Sequence, residues 1–237
     1  IIYKATEKVI RDTANTLIYK GIPVSGIAIS TVMHSFAPAN EKRELLSNMI
    51  TWADSRSVEI VNELKKDIKL TRNFYEKTCC PVHACYPFLK ILWLKKTFPD
   101  VFSKMKYIYS LKDYVFEKLT NKWVIDKSSA SASGLYNAHK MDWDEDILSF
   151  ADIRKEQLPP VVSTTYSQKL TPDAAQRLNL PKGLPVVIGA TDGVLVNVGI
   201  GAVKPGQLSA TIGTSGAIRM LTKNPKVDKK NRTWCYN

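Results

Sequence analysis

The sequence predicts an α/β domain, and three observations carry that prediction. Short apolar stretches alternate along the chain with segments whose apolar residues recur at helical spacing. Acids, a histidine and small residues follow several of the apolar stretches, at the carboxyl ends of strands where open α/β sheets build their sites. The 237 residues are 44% hydrophobic and 24% charged with 11 Gly and 12 Pro, which excludes disordered, collagen-like and repeat compositions. A chain of this length buries roughly 70% of its unfolded surface, so its core needs no metal or disulfide staple.

Taken in order, residues 5–19 place Val9, Ile10, Ala14, Leu17 and Ile18 at helical spacing, and Gly21 with Pro23 ends that helix. Residues 24–30 read as a buried strand running into Thr31-Val32-Met33-His34-Ser35, which puts His34 at a strand end. Residues 49–53 form a second apolar stretch closed by Asp54-Ser55-Arg56-Ser57, after which Val58, Ile60, Val61 and Leu64 mark a helix. Residues 87–98 predict the most amphipathic helix, with Leu89, Leu92 and Trp93 on one face and Lys90, Lys95 and Lys96 on another. A strand at 107–109, a helix at 115–119 and a hairpin-like return at 123–125 precede the Ser/Ala segment 128–133. Short surface helices at 144–150 and 172–178 flank Pro159-Pro160. A strand at 185–189, a helix at 193–200 and paired strands at 207–212 and 217–221 complete the pattern.

Composition and spacing remove several function classes. The longest apolar stretches, 186–190 and 194–200, fall far below the roughly 20 residues a membrane span needs. Thirty-four Lys plus Arg against 22 Asp plus Glu give a net charge of +12, which favours an anionic partner. The basic residues are scattered, without the clustered aromatics of a nucleic-acid surface, so no nucleic-acid partner is expected. Cys79, Cys80, His83 and Cys85 crowd together without zinc-finger spacing, so reduced thiols and no metal are expected. The first residues carry no apolar core of a secretory leader, so a cytoplasmic location is expected. His139 reads as a surface residue, and no acid, histidine and nucleophile can be grouped as a hydrolase triad.

Two motifs remain. Gly189-Ala190-Thr191-Asp192-Gly193 ends an apolar strand in an acid between small residues, and Gly193 would let a substrate approach the carboxylate. Asp192 or Thr191 acting as a plain helix cap is the commoner use of such residues. Gly213-Thr214-Ser215-Gly216 is a turn of small residues between strands, able to offer N–H and hydroxyl groups to a phosphate or to be an ordinary hairpin. It is not a Walker loop, because Gln207 stands where that motif wants Lys.

Five passages in register resemble the amino-terminal domain of the FGGY family of carbohydrate kinases, its gluconokinases most of all. They are Ile27-Ala28-Ile29-Ser30-Thr31-Val32-Met33-His34-Ser35, Ile50-Thr51-Trp52-Ala53-Asp54-Ser55-Arg56-Ser57, residues 126–143 with Ala132-Ser133-Gly134-Leu135-Tyr136, Gly189 to Gly193, and Thr211-Ile212-Gly213-Thr214-Ser215-Gly216. The resemblance implies a ribonuclease-H-like, actin-like ATPase fold whose two domains close on a sugar and Mg-ATP. It implies Asp192 as the general base that takes the proton of the attacking hydroxyl. It implies a sugar pocket from Met33, His34, Trp52, Asp54, Arg56 and Gly193, and ATP phosphates at Gly213, Thr214, Ser215 and Gly216. Trp52 could equally be core packing, and Arg56 could meet a carboxylate or brace its loop.

The family pattern also has parts not found between Ile1 and Asn237. An acidic Gly-Thr-Thr hairpin is expected ahead of Ile1, and a second actin-like domain is expected to follow. Residues 1–221 are expected to form the amino-terminal domain, and 222–237 an exposed linker or the start of the next domain. Lys127 stands where some relatives place an aromatic beside the substrate. The implied activity is transfer of the γ-phosphate of ATP to the primary hydroxyl of gluconate, with Mg2+ as cofactor. A xylulokinase or other sugar kinase, or a non-catalytic sugar-binding or assembly module, are the alternatives. The expected partner is a small sugar or sugar acid, and a homodimer is compatible with the sequence.

Overall fold

Parallel pairing of Ile27–Ala28 with Pro185–Val187 joins two passages that lie far apart in the sequence and sets the frame for the motifs. Ser167–Lys169 adds antiparallel to the other edge of Pro185–Val187, giving a three-stranded sheet. The computed structural model describes residues 1–213 and 216–237. The ladder continues past the regular strand, since Ile29 N donates to Val187 O at 3.1 Å and Thr31 bridges Thr191. Gly189 makes this closeness possible. Its φ is +66°, and a Cβ there would lie 2.1 Å from Ile29 O.

Two apolar clusters hold the domain together. One packs Phe116, Leu119, Leu170, Ala174, Leu178, Val186 and Ile188 between the sheet and the helices Leu111–Thr120 and Pro172–Leu178. The other gathers Phe36, Phe74, Tyr86, Phe88, Ile91, Tyr136 and Trp143 around the helices Ile68–Thr78 and Pro87–Thr97. Each such large side chain contributes about 1.5–3 kcal/mol when fully buried. The amino-terminal helix Ile2–Tyr19 buries Ala14 against the first cluster.

Most expected elements are present, though the strand expected over 24–30 shrinks to Ile27–Ala28 and short elements such as Ser167–Lys169 are added. Residues 49–53 are not a strand: only Ile50 pairs, with Phe36, because the chain then turns outward at Trp52. The return at 123–125 is no hairpin, since Ile125–Asp126 pairs in parallel with Val161–Val162. The helix Ile68–Thr78, capped by Asp67 accepting from Leu70 N, and the strand Ala37–Ala39, paired with Tyr107–Tyr109, were not foreseen. Lys90 is fully buried and not on a solvent face, for a reason that belongs to the site.

Residues 222–237 form no helix or strand, and their lysines are exposed. The segment is nonetheless fastened along the domain. Arg72 Nη1 donates to Asp228 O at 2.9 Å, Tyr75 Oη donates to Thr233 O at 2.9 Å, and Asn237 N donates to Ser131 Oγ at 3.1 Å. Among the described residues no helix is long and apolar enough to cross a membrane.

Candidate active site

Asp192 opens the helix Asp192–Gly199 at the carboxyl end of the Pro185–Val187 strand. Its backbone N donates to Thr31 O at 2.9 Å, which locks the acid beside the Thr31-Val32-Met33-His34 segment. Neither it nor Thr191 makes a side-chain cap. The Asp192 carboxylate is exposed and, among the described residues, accepts only from Gly193 N, at 2.7 Å, leaving lone pairs free for a hydroxyl.

Buried polar groups fix the backbone behind Asp192. Thr191 N donates to Ser128 Oγ at 2.9 Å, and Ser128 Oγ in turn hydrogen-bonds Asp126 Oδ1. Asp126 also caps the helix Lys127–Ser131 by accepting from Ser128 N and Ser129 N. Lys112 Nζ stands 2.9 Å from Asp126 Oδ2, an ion pair poorly aligned for a hydrogen bond, with both side chains excluded from solvent. Burial pulls the Lys112 ammonium down from its usual range, while Asp126, Asp113 and Asp192 act in the opposite direction.

His34 is braced from several sides. Its φ of 62° lies in the left-handed region, a strained conformation for a side chain of this size. Nδ1 is 2.7 Å from Ala132 O; a carbonyl only accepts, so that nitrogen carries the proton and Nε2 keeps a lone pair. The ring stands edge-on to Tyr86 at 4.9 Å and tilted against Tyr236 at 5.9 Å. Burial pushes its pKa down to about 4, so the ring is neutral at pH 7. The adjacent cavity holds only about 30 Å³, whereas a concavity of about 750 Å³ lies elsewhere, around Arg43, Trp123 and Lys155. Size alone does not locate the chemistry here; Asp192 sits on an open face.

Lys90 explains why the His34 and Trp52 segments meet. Its Nζ donates to His34 O, Thr51 O and Cys85 O, each at 2.7 Å, so all three N–H groups bind carbonyls of three different loops. Burial lowers its pKa to about 8. Beyond Thr51, Trp52 is 58% exposed and so is not core packing. Arg56 is committed to its own loop: Nε is 2.7 Å from Asp54 Oδ1, Nη2 is 2.7 Å from Asp54 Oδ2, and the guanidinium lies 4.7 Å from the Trp93 ring. That pairing holds the Asp54 carboxyl below the usual carboxylate range.

Gly193 is buried under protein. A Cβ there would meet Met33 Cε at 2.6 Å and Arg219 Nε at 3.6 Å, so Met33 and Arg219 fill the space that the sequence reserved for a substrate. Arg219 belongs to the strand Gly216–Met220, antiparallel to Leu208–Ile212. Ser209 Oγ donates to Asn197 Oδ1 at 2.7 Å, joining this hairpin to the Asp192–Gly199 helix. Gly213 and Gly216 are exposed, and Thr214 and Ser215 lie outside the described residues.

The structure therefore brings Met33, Gly193 and Asp192 together, and links His34 to the Trp52-Asp54 loop through Lys90. Lys90, Lys112, Asp126 and Arg219 are absent from the sequence-level site. Lys90 was detectable, because it shares the helical stripe of Pro87, Ile91 and Leu94, all buried. Cys79 and Cys85 have thiols pushed up to about 11 by burial and stay protonated at neutral pH.

Comparison with known proteins places this geometry. Residues 1–199 match the FGGY family of carbohydrate kinases, N-terminal domain. The gluconokinase of Bacillus subtilis (strain 168) is 39% identical over 214 residues, 90% of this chain and 42% of that protein. A crystal structure of gluconate kinase from Lactobacillus acidophilus superposes with a TM-score of 0.93 at 32% identity, covering all of this chain and 47% of that one. A ligand-bound xylulose kinase from Lactobacillus acidophilus gives the same TM-score and identity over 48% of its chain. The chain thus spans less than half the length of the relatives it matches. Its α/β fold is the actin-like, ribonuclease-H-like one the resemblance implied, and the chain belongs to the FGGY family of carbohydrate kinases.

Proposed function

We propose that this chain supplies the sugar-binding and proton-accepting half of an ATP-dependent gluconokinase, which makes 6-phosphogluconate. The observation that carries the reading is the Asp192 carboxylate, exposed at a strand end beside Met33 and anchored from behind by Thr31, Ser128 and Asp126. An acid so placed accepts the proton of a sugar hydroxyl as it attacks the γ-phosphate. Positioning and charge neutralisation supply the rest of phosphoryl transfer. By the family resemblance, the passage Gly213-Thr214-Ser215-Gly216 receives the ATP phosphates, and Mg2+ arrives on those phosphates. Among the described residues no three His, Cys, Asp or Glu side chains cluster as a resident metal site.

His34 Nε2 and the Asp54 oxygens accept from sugar hydroxyls, and Trp52 covers an apolar sugar face. The gluconate assignment follows the 39% identity to the Bacillus subtilis gluconokinase, against 27% to the xylulose kinase of Klebsiella pneumoniae. We place the protein in the cytoplasm, with residues 1–221 as the family domain. A coupled ADP-release assay of the complete enzyme on gluconate, xylulose and glycerol tests the reading. The highest kcat/KM is expected on gluconate; a higher value on xylulose transfers the assignment to a xylulokinase.

A further inference from the structure

Arg219 is the inward-facing cation that the assignments above leave unused. On its strand it is half-buried while its neighbours Ile218 and Met220 face solvent, the reverse of the usual alternation. Nη1 donates to Thr211 Oγ1 at 2.9 Å, and Nε and Nη2 lie over Gly193 beside Met33 Cε. Its charge also reaches the hydroxyl of Tyr236, which bonds Tyr86 at 3.1 Å and packs against His34. Arg219 therefore lies against Met33 and Gly193, between the Asp192 helix and its own hairpin.

Arg43, Arg56, Arg72, Arg177 and Arg232 each face a carboxylate within ion-pair distance. Among the described residues Arg219 has no such partner, and its one hydrogen bond uses a neutral hydroxyl. Arg56, the other cation close to the sugar segments, is already satisfied by Asp54. A guanidinium with two edges uncommitted is matched in shape and charge to a carboxylate.

We propose that Arg219 receives the carboxylate of a sugar acid and so makes an aldonic acid the preferred substrate over neutral sugars and polyols. The inference rests on the kinase reading and deepens it. Its discrimination arises because a neutral ligand leaves the half-buried guanidinium without an anion.

The test uses the complete enzyme with gluconate and with glucitol, in which a CH2OH group replaces the carboxylate. Wild type, Arg219→Gln and Arg219→Lys are compared, with the melting temperature of each as a check on folding. The ratio of kcat/KM for gluconate to that for glucitol is expected to fall roughly 100-fold in Arg219→Gln, chiefly through the KM for gluconate. Arg219→Lys recovers part of the ratio, as a point charge without the planar fork. An unchanged ratio overturns the proposal. Equal losses on both sugars with a raised KM for ATP also overturn it and assign Arg219 to the phosphates. A wild type that prefers xylulose to gluconate instead overturns the gluconokinase reading itself, before any variant is made.

Discussion

The two sides of the candidate site are built on opposite principles. Around His34 and Asp54 the polar groups are matched by protein: Lys90 by three carbonyls, Arg56 by Asp54, and the neutral His34 ring by Ala132. Across from it, in the Asp192–Gly199 helix and its hairpin, apolar residues face solvent, with Ile212 92% and Ile218 75% exposed, while Arg219 turns inward. The first side is finished before any ligand arrives, so it offers shape and lone pairs. The second keeps a carboxylate and a guanidinium free, so it is where charge on a ligand can be read.

If the open side depends on a rigid backing to keep its carboxylate in place, breaking the ion pair behind Asp192 is the costliest change. Lys112→Met leaves Asp126 buried without its cation, and losing one partner of a buried pair costs about 3–5 kcal/mol. Chemical denaturation of the chain should show that loss. A variant within about 0.5 kcal/mol of wild type would show that the pair is not holding the Asp126–Ser128–Thr191 connection, since that is the range of bland surface changes.

His34 gives a smaller and pH-dependent effect. Its folded pKa, about 4, lies below its unfolded value near 6.5, so the unfolded chain binds the proton first as pH falls. Stability contributed by the neutral ring is complete above about 6.5 and is lost progressively as pH drops towards 4, by up to about 3 kcal/mol. Lys90 and His83 are the nearby positive groups that reinforce the shift. His34→Gln should flatten the pH dependence of stability between those values; an unaltered slope would mean that His34 is not the titrating group.

The exposed side should respond least. Ile218→Ser removes an apolar side chain that is already in water, so the stability of the chain should change by no more than about 0.5 kcal/mol. A loss of 2 kcal/mol or more, about the worth of a buried side chain, would reveal that Ile218 is covered and would weaken the contrast.

How far the sequence could be read follows the same division. The apolar strand ending in Asp192, with Val186 and Ile188 buried, and the helix with Ile60 and Val61 buried were legible because burial and periodicity agree there, whereas Val58 and most of residues 24–30 stay open to solvent. The 49–53 passage misled because its apolar residues serve a turn, with Trp52 left outside and Thr51 O given to Lys90. Lys90 departs from the amphipathic pattern because its charge suggests a polar face while its helical position lies among buried neighbours. Arg219 was invisible for a stronger reason: in Gly216–Met220 the alternation is inverted, and only contact with Gly193 shows which face is inside. Residue type and period report burial; they do not report which inward-facing cation lacks a carboxylate.

The central claim is that Asp192 is the proton acceptor, and Asp192→Asn in the complete enzyme tests it most directly. The amide keeps the shape of the side chain and its acceptor for Gly193 N but cannot take a proton at neutral pH. Gluconate-dependent turnover should fall by about 10²–10⁴, the usual worth of a positioned general base, with the melting temperature little changed. Near-normal turnover by a folded Asp192→Asn enzyme would remove Asp192 from the chemistry and contradict the account.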